Sequence, residues 1–517
     1  MSEKQKLEKV LWSISNDLRG NMDATKFKDY ILGLIFFRFL SHNIEDTIKD
    51  FEKGKTIVEI YNEYPADVKE ECIEQIGYFI EPTQLFANYV EKYNNNELII
   101  VELAKTLNAI ESSTYGKESQ GDFEGLFSDL NLSSQDLGID ATARNKTIGE
   151  IMVKLSEVDF DFNNEESDVL GDAYEYMISM FASTAGKKAG EFYTPQSAAK
   201  ILTKIISADK TNIKSVYDPT CGSGSLLLRV ARDFDINTVN IYGEELNTST
   251  YNLARMNMLI HKVKYDRFVI KNTNTLESPK LMDMRFDAVI ANPPFSANWT
   301  AEAKFSDDPR FKGYGKLAPK GKADFAFVQH MLYQINDEGT VATVLPHGPL
   351  FRGAAEKQIR EKLINDNNID AIIGLPANLF FGTGIPTIII VLKKCKKDKD
   401  ILFIDASKEF EKVKTQNILT DEHINKIITT YKNRDEIEKY SHKASLEEII
   451  ENDYNLNIPR YVDTFEEEEP IDIIAVSKEY KELVAEEKQL RQDILKQMEE
   501  LEGDEDILNA LREMIKE

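Results

Sequence analysis

The sequence predicts an α/β protein with a doubly wound sheet, an all-helical N-terminal domain and a C-terminal helical tail. Apolar residues recur at helical spacing through residues 1–160, without strand-like alternation. Strand-like and helical segments then alternate between residues 213 and 291, which is typical of a doubly wound sheet. The acidic stretch Glu466–Glu469 with Pro470 precedes a charged amphipathic segment. We therefore expect a helical domain at 1–160, an α/β domain at 165–465 and a helical tail at 470–517.

The composition is that of a globular protein in water, with 42% hydrophobic and 29% charged residues. The longest apolar run, Tyr30–Phe37, is shorter than a bilayer span, and no signal peptide is recognisable. Cys72, Cys221 and Cys395 form no CxxC pair, which indicates a reducing compartment, so we expect a cytoplasmic protein. The histidines show no ligand spacing, so no metal site is predicted.

In the N-terminal domain, two groups of apolar residues predict helices that are separated at Gly20–Asp23. The groups are Leu11, Ile14 and Leu18, then Tyr30, Leu34 and Phe37. We interpret the apolar run at 30–40 as a buried helix of this domain, not as a membrane element.

The segment before the sheet combines a helix, a small-residue loop and a second helix. A helix beginning at Val169 is predicted by the apolar residues Leu170, Tyr174, Met177, Ile178 and Phe181. The loop Ala182–Gly190 follows and leads into Glu191, Phe192, Tyr193, Thr194 and Pro195. Thr194 as N-cap and Pro195 at the first helical position predict a helix over Gln196–Ile206. This segment either clasps a small ligand or is an ordinary capped helix.

A glycine turn follows the first predicted strand, Ile213–Asp218, and precedes a helix that runs to Phe234. The turn contains Gly222 and Gly224 but has Leu227 where a dinucleotide fingerprint would have a third glycine. It also lacks the Lys-Ser/Thr pair of a phosphate-binding loop. Asp218 places a negative charge where a pyrophosphate would lie, which favours a ligand with a sulfonium or amino group.

Three further predicted strands each end at a polar side chain. Val239–Gly243 leads to Glu244 and Glu245, Arg267–Lys271 leads to Asn274, and Phe286–Ala291 leads to Asn292. Glu245 lies 21 residues after Gly224, near the spacing at which a carboxylate binds ribose hydroxyls, so we prefer it to Glu244. Asp218, Glu245, Asn274 and Asn292 thus come successively at strand ends.

The tetrapeptide Asn292–Phe295 has the sequence Asn-Pro-Pro-Phe. Two consecutive prolines remove two backbone donors and fix φ, so the loop is stiff and presents carbonyl groups. With an amide and an aromatic ring beside these carbonyls, the loop is suited to holding a planar amino group by its hydrogens. On the tetrapeptide alone, the alternative that Pro-Pro ends a strand and Phe295 caps the core remains open.

These segments together resemble S-adenosylmethionine-dependent amino-methyltransferases of DNA, and more closely the modification (M) subunits of type I restriction–modification systems. The resemblance covers nearly the whole chain. Beyond the segments described above, it includes Ala323–Phe327, Leu345–Gly348, Phe351–Gly353, Gly374–Pro376, Phe380–Thr387 and Asp453–Arg460. It implies a methyltransferase (Rossmann-like) sheet and transfer of a methyl group from S-adenosyl-L-methionine to N6 of adenine in DNA.

The resemblance also assigns roles to residues of this chain. Asn292, Pro293, Pro294 and Phe295 correspond to the catalytic loop. The implied cofactor-binding residues are Glu191, Phe192, Tyr193, Thr194, Pro195, Gln196, Asp218, Gly222, Ser223, Gly224, Ser225, Glu245 and Asn274. Relatives often have an acid where Asn274 stands, so we expect altered contacts with the cofactor adenine there. We expect Asn292 Oδ1 and the Pro293 carbonyl to accept the amino hydrogens of an adenine that has left the duplex. Phe295 would stack on this base, and Phe380 or Phe381 either covers its other face or is a core residue.

The partners implied are DNA, a specificity (S) subunit that reads the target with two M per S, and a restriction (R) subunit in the full complex. No membrane partner is expected. Two alternatives remain at this stage: a methyltransferase acting on RNA or protein glutamine, and a non-catalytic assembly subunit.

Two charged regions bear on these partners, because the net charge of −26 opposes binding of DNA at long range. After the catalytic loop, six basic residues face only Asp307 and Asp308, a local charge of +4: Lys304, Arg310, Lys312, Lys316, Lys320 and Lys322. We interpret this run as a mobile loop that either contacts the DNA backbone or is simply solvated.

In the tail, apolar residues near a 3.5-residue spacing predict a single amphipathic helix or coiled-coil strand: Val476, Tyr480, Leu483, Leu490, Ile494 and Leu501. One such helix cannot bury its apolar stripe alone. It either folds back on its own domain or docks on another chain, and the resemblance favours docking on the S subunit.

Overall fold

The computed structural model describes residues 24–158, 169–184, 194–208, 210–380, 383–413, 416–464, 472–499, 501, 503 and 505–516. The chain divides into two compact units, Met1–Asp463 and Thr464–Glu517. The helical N-terminal part and the sheet lie in the first unit, so the predicted boundary near residue 160 stays a prediction.

The N-terminal part is helical, as predicted, and residues 24–158 contain no strand. Its helices are α1 (Ala24–Lys49), α2 (Ile57–Glu63), α3 (Pro65–Ile76), α4 (Phe86–Asn94), α5 (Ile100–Ser113), α6 (Gln120–Phe123) and α7 (Ala141–Ser156). Every residue of the apolar run from Tyr30 to Phe37, other than Gly33, belongs to the core of this part, which confirms that the run is a buried helix. The predicted break at Gly20–Asp23 and the group Leu11, Ile14 and Leu18 lie outside the described residues.

The second part of the first unit is built on a nine-stranded sheet. The strands are β1 (Ser215–Asp218), β2 (Asn240–Glu245), β3 (Phe268–Asn272), β4 (Phe286–Ala291), β5 (Ile335–Pro346), β6 (Ile369–Gly374), β7 (Thr387–Lys393), β8 (Ile401–Asp405) and β11 (Ser441–Ala444). The short strands β9 (Glu411–Lys412) and β10 (Asn417–Ile418) form a separate hairpin.

The order of strands across the sheet is β11-β8-β6-β7-β5-β4-β1-β2-β3. The half that contains β3, β2, β1, β4 and β5 is parallel throughout. β7 lies antiparallel between β5 and β6. Chain order reverses at β1, between β2 and β4, which is the place where open α/β sheets bind their ligands. The predicted doubly wound sheet is confirmed, with two antiparallel strands, β7 and β11, in the other half.

Helices cover both faces of the sheet. They are α9 (Gln196–Ile206), α10 (Ser225–Phe234), α11 (Thr248–Ile260), α12 (Asp324–Gln334), α13 (Ala354–Asn365), α14 (Asp421–Asn433) and α15 (Leu446–Glu451). The preceding helix, α8 (Val169–Thr184), packs instead with α1 and α11, in the core of the N-terminal part. Along β4, Ala288 and Ile290 pack in the core that α9, α10 and α14 share, whereas Phe286 and Val289 pack with α12 and α13. Successive side chains of a strand point to opposite faces, so each buried strand serves two cores.

The start of α9 corrects one prediction. The helix spans Gln196–Ile206 as expected, but its N-cap is Pro195, and no side chain caps it. Thr194 is therefore not the N-cap. Pro195 has an extended ψ of 139°, and its carbonyl already accepts the first helical bond, from Ala199 N at 2.9 Å. The helix thus begins one residue later than the proline position suggested.

The described residues of the second unit form two helices, α16 (Ile473–Met498) and α17 (Glu505–Lys516). The prediction of a single tail helix is therefore wrong. The two helices pack together, and Arg491 Nη1 donates to the Ile515 carbonyl at 2.7 Å. Leu501, which the spacing placed in the apolar stripe, lies between the two helices. Within the described residues, no helix has the length and apolar character needed to span a membrane.

Candidate functional site

The predicted site residues of the sheet meet at one edge because β1, β2 and β4 are parallel neighbours. Val216 pairs with Ala288 and Asp218 pairs with Gly243, so the strands end at similar heights. The residues that follow these ends therefore share the carboxyl edge of the sheet. The turn after β3 joins the same edge, since Thr275 Oγ1 donates to the Pro219 carbonyl at 2.7 Å.

Asp218 ends β1 and is only 2% exposed. Its Oδ1 accepts a hydrogen bond from Thr220 N at 2.8 Å. Burial raises the pKa of Asp218 to about 7, the hydrogen bonds from Thr220 lower it, and the charge of Glu245 raises it further. A buried carboxylate with this pKa is suited to a ligand that brings a positive charge.

The glycine turn after Asp218 depends on backbone conformations that favour glycine. Gly222 has φ 55° and Gly224 has φ 77°. A Cβ at Gly224 would lie 2.6 Å from the Met258 methyl carbon, so α11 packs directly on the turn. The turn is therefore buried and packed against a helix, and a larger residue at Gly224 would collide with that helix.

Two residues that the motifs did not reveal hold this turn in place. Asn257 Nδ2 donates to the Ser223 carbonyl at 2.9 Å and to Glu175 Oε1 at 2.6 Å. Glu175 Oε1 also accepts from Ser225 Oγ at 2.7 Å. Glu175 lies in α8 and Asn257 in α11, at positions with no local signal, because their roles arise only when both helices pack on the turn.

The two consecutive glutamates at the end of β2 have different environments. Glu245 Oε2 accepts from Gly222 N at 3.1 Å, and its Oε1 accepts from Asn247 N at 2.8 Å. Glu244 is fully buried and accepts from Tyr217 Oη at 3.0 Å and from Lys280 N at 2.6 Å. Glu245 therefore contacts the glycine turn, whereas Glu244 belongs to the interior, and the predicted role of Glu245 at a ribose stays a prediction.

Asn292 is partly buried at the end of β4, beside the Asp218 turn. Its Oδ1 is a buried acceptor that has no hydrogen-bond partner among the described residues. Most buried polar groups of native proteins are paired, so an unpaired acceptor at a sheet edge indicates a place for a donor from outside the chain. An amino group supplies such a donor.

The ring of Phe295 lies 6.1 Å from that of Phe380, at an interplanar angle of 68°. Phe380 is 4% exposed and packs in the core, so of the two alternatives it is a core residue in this structure. Phe381 lies outside the described residues.

The remaining predicted cofactor residues are distributed more widely. Asn274 Oδ1 accepts from Leu276 N at 3.2 Å, so its side chain shapes its own turn. Thr194, Gln196 and Ser225 line a cavity of about 500 Å³ along α8, α9 and α10, whereas Asp218, Glu245 and Asn274 do not line it. Pro195 borders a second cavity of about 460 Å³.

We place the site at the sheet edge because the acceptor and acidic groups lie there. Glu191, Phe192 and Tyr193 lie outside the described residues.

The basic run after the catalytic loop differs from its prediction at Arg310. This residue is 2% exposed, not a surface cation. Its guanidinium donates to the Thr275 and Leu276 carbonyls at 2.8 Å and forms an ion pair with Asp308 at 2.7 Å. Trp299, Phe305 and Phe311 pack together beneath the loop, so its apolar side chains hold it against the sheet domain. Lys304, Lys312, Lys316 and Lys320 are exposed and Lys322 is half-buried.

Arg310 also reaches a buried polar network behind the site. Its Nη1 lies 3.2 Å from His330 Nδ1, and His330 Nε2 lies 2.9 Å from Tyr217 Oη, which donates to Glu244. Burial, with the nearby charge of Arg310, lowers the pKa of His330 well below its usual range, so the ring is neutral. This network links β1, β2 and α12 with the loop that contains the basic run (residues 304–322), which we call the basic loop.

Comparison with known proteins identifies the family. The sequence model of the family described as N-6 DNA Methylase matches residues 165–470, which is more than half of the chain. The chain belongs to the N-6 DNA methylase family. A second family model, described as HsdM N-terminal domain, matches residues 7–155 of this methylase.

Individual relatives agree with the family match. This N-6 DNA methylase is 38% identical to the type I restriction enzyme MpnII methylase subunit of Mycoplasma pneumoniae, over 97% of each chain. It is 36% identical to the HindI methylase subunit of Haemophilus influenzae, over 58% of this chain and 70% of that protein. The crystal structure of a type I methyltransferase subunit from Streptococcus thermophilus superposes with a TM-score of 0.83 at 46% identity, over 89% of this chain and 100% of that one.

The predicted function is therefore confirmed at the level of the family. The chain is an N6-adenine DNA methyltransferase of the type I modification-subunit class. The family match thus supports adenine in DNA as the substrate, in place of the alternatives RNA and protein glutamine.

Proposed function

We propose that this methylase acts by holding the N6 amino group of its target adenine between Asn292 Oδ1 and the Pro293 carbonyl. The single observation that carries the proposal is the buried, unpaired Oδ1 of Asn292 at the sheet edge. Pro293 and Pro294 stiffen the loop, so the two acceptors keep their separation when the base arrives.

The chemical reason lies in the amino group itself. The lone pair of an exocyclic adenine nitrogen is delocalised into the ring, so the nitrogen is a poor nucleophile. Acceptors that take both N–H hydrogens favour a pyramidal nitrogen and return the lone pair to it. Positioned dipoles of this kind stabilise the charge that develops in the transition state.

The proposed methyl donor is S-adenosyl-L-methionine, whose sulfonium group supplies an electrophilic methyl. Asp218 and the turn Gly222–Ser225 would bind the charged end of the donor, and Glu245 the ribose hydroxyls. The fit is supported by the buried Asp218 carboxyl, whose raised pKa returns toward its usual value beside a cation. It is also supported by Glu245, whose carboxylate lies at the glycine turn and accepts from Gly222 N and Asn247 N.

The same donor would be contacted by the segment before α9. We propose this role for Thr194, Pro195 and Gln196, and for the preceding Glu191, Phe192 and Tyr193. Asn274 would contact the adenine of the donor through its side-chain amide, because its Oδ1 is occupied by its own turn. Positioning of donor and acceptor supplies much of the catalysis.

The target adenine must leave the duplex to reach the sheet edge, and Phe295 is proposed to stack on it. This role is supported by the partial burial of Phe295 and by its position directly after the two prolines. The lysines of the basic loop are proposed to contact the DNA backbone there. Exposure of Lys304, Lys312, Lys316 and Lys320 supports this role, although Lys304 also pairs with Glu302 at 2.9 Å.

Sequence recognition is proposed to lie on a separate specificity subunit, bound by two copies of this chain. A restriction subunit would join them in the full complex. Exposed apolar side chains on α16, among them Tyr480 and Leu483, support docking on another protein.

The test of the amino-group assignment is methyl transfer to adenine by Asn292→Ala, assayed with the specificity subunit present. We expect turnover to fall about 100-fold to 1,000-fold, the effect of removing one positioned dipole. Affinity for the methyl donor should stay within about twofold, because Asn292 is not a proposed donor ligand. Asn298→Ala is the matched control, since Asn298 is an exposed asparagine in the same segment. Near-normal turnover of Asn292→Ala would refute the assignment.

A further inference from the structure

The chain leaves the catalytic loop through a residue in an unusual conformation. Ser296, directly after Phe295, has φ 51°, in the left-handed region that side chains other than glycine seldom adopt. Its backbone N–H donates to Asp324 Oδ1 at 2.8 Å, and its Oγ lies 3.5 Å from Asp324 Oδ2. A side chain 28 residues further along thus holds the exit of the loop.

Asp324 is part of a buried cluster of charges. It is 1% exposed and is the first residue of α12. Its Oδ2 lies 3.4 Å from Arg352 Nη1, which also lies 3.2 Å from Glu356 Oε1 in α13. We call Asp324, Arg352 and Glu356 the loop clamp.

The loop clamp is built into the backbone around it. Arg352 N donates to the Gly348 carbonyl at 3.0 Å. A Cβ at Gly348 would lie 2.1 Å from Arg352 Nη2, so a larger residue there would displace the guanidinium. Ala323 N donates to the Ala297 carbonyl at 3.0 Å, so the two ends of the basic loop meet beside Asp324. The clamp therefore joins the catalytic loop, the basic loop and α13.

We propose that the loop clamp is a positioning device for the target base, with Asp324 as a positioning residue that sets the path of the chain after Phe295. The proposal rests on the proposed roles of Asn292 and Phe295. The prolines restrict the chain before Phe295, and Asp324 restricts it immediately after. The ring of Phe295 is thereby held between two restricted points.

We expect the loop clamp to affect the positioning of the target base and not the binding of the methyl donor. No hydrogen bond or ion pair among the described residues joins it to Asp218, the glycine turn or Glu245. Loss of the clamp should therefore lower methyl transfer while leaving the binding of the methyl donor intact. A merely structural role would weaken both.

The experiment uses the full chain with its specificity subunit and compares Asp324→Ala, Asp324→Asn and Arg352→Lys. We expect Asp324→Ala to lower kcat for adenine methylation about 100-fold, the effect of misplacing a reacting group by about 1 Å. Its Kd for S-adenosylmethionine should stay within about twofold. Asp324→Asn keeps an oxygen for Ser296 N and loses only the ion pair, so its kcat should fall less, by about tenfold. Arg352→Lys should lie near Asp324→Asn.

Two further variants sharpen the interpretation. Ser296→Gly in the Asp324→Ala background should recover part of the lost kcat, because glycine adopts a left-handed φ without steric cost. Asp370→Ala is the matched control: Asp370 is also a buried, paired carboxylate, bonded to Tyr431 and Arg434 at the start of β6. We expect this control to unfold at a lower temperature but to keep the kcat of the unmodified enzyme.

Either of two outcomes overturns the proposal: kcat of Asp324→Ala within threefold of the unmodified enzyme, or an equal loss of kcat and donor affinity. If Asp324→Ala does not fold, Asp324→Asn decides by the same two measurements. Asn292→Ala, assayed in parallel, separates this proposal from the one on which it rests. Normal turnover in that variant would refute the amino-group assignment, whereas normal turnover in Asp324→Ala would refute the clamp alone.

Discussion

At the scale of single residues, Asn292 and Asp218 share an uncommon property. Each has a buried polar group at the sheet edge whose burial is unfavourable. Asn292 Oδ1 lacks a hydrogen-bond partner among the described residues, and burial raises the pKa of Asp218. An unpaired buried acceptor costs about 1–3 kcal/mol, and a buried carboxyl resists ionisation. Both costs fall when a ligand brings a donor or a positive charge. Binding of the proposed ligands would therefore stabilise both residues relative to the free protein.

The raised pKa of Asp218, about 7, predicts that binding of S-adenosylmethionine depends on pH. The cation favours the ionised carboxylate, which dominates above pH 7 and is lost as the pH falls below it. We expect affinity to decline by up to about tenfold per pH unit below 7, measured by calorimetry between pH 6 and 8. Asp218→Asn, which has no charge to lose, should bind weakly at pH 8 and show a flatter profile. A pH-independent affinity of the unmodified enzyme would contradict this account.

At the scale of elements, the basic loop illustrates how one buried charge can order a long segment. Arg310 satisfies its guanidinium with two carbonyls of the turn after β3 and with Asp308. It thereby ties the loop to the turn that contains Asn274. The exposed lysines lie in this loop. The hydrogen bond from Ala323 N to the Ala297 carbonyl joins its two ends.

Removal of the Arg310 guanidinium should therefore destabilise the protein. Arg310→Met leaves Asp308 without its buried partner and two carbonyls without donors, and we expect the free energy of unfolding to fall by about 3–5 kcal/mol. The measurement is urea denaturation followed by circular dichroism. Lys304→Ala, which removes an exposed cation of the same loop, should change the free energy by no more than about 0.5 kcal/mol. Equal stabilities of the two variants would show that Arg310 does not anchor the loop.

At the scale of the whole molecule, the chain combines a DNA-modifying site with a net charge of −26. The proposed contacts of the exposed lysines with DNA and the proposed specificity subunit would reconcile these facts, because net charge governs long-range association and not local contacts. The second compact unit presents the apolar surface that such a partner would cover. Its exposed apolar side chains include Val476, Tyr480, Leu483, Leu490 and Ile494.

Substitution on this surface should separate assembly from cofactor binding. We expect Leu483→Asp combined with Leu490→Asp to abolish co-purification with the specificity subunit, because a buried charge in an apolar interface is unpaired. Affinity for S-adenosylmethionine should not change. Lys478→Ala, a charge removal elsewhere on α16, should still assemble, as judged by analytical ultracentrifugation. Assembly of the double variant at normal affinity would place the docking surface elsewhere.

Much of the architecture follows from local sequence. The four strands from β1 to β4, the glycine turn and the helix over Gln196–Ile206 were all predictable. Each depends on residues close together in the chain: alternating burial, a left-handed φ at glycine, or a fixed spacing after a turn. The family resemblance rests on the same local motifs.

Only the tertiary structure shows which charged side chains are buried and which distant residues they contact. Arg310 looked like a surface cation because its neighbours in sequence are lysines, yet carbonyls 34 and 35 residues away bury it. The contact of Asp324 with Ser296 spans 28 residues, and those of Glu175 and Asn257 with the glycine turn require two helices to pack on it. Local sequence determines which conformations each segment favours, whereas the partners of a buried charge are determined by which segments the fold brings together.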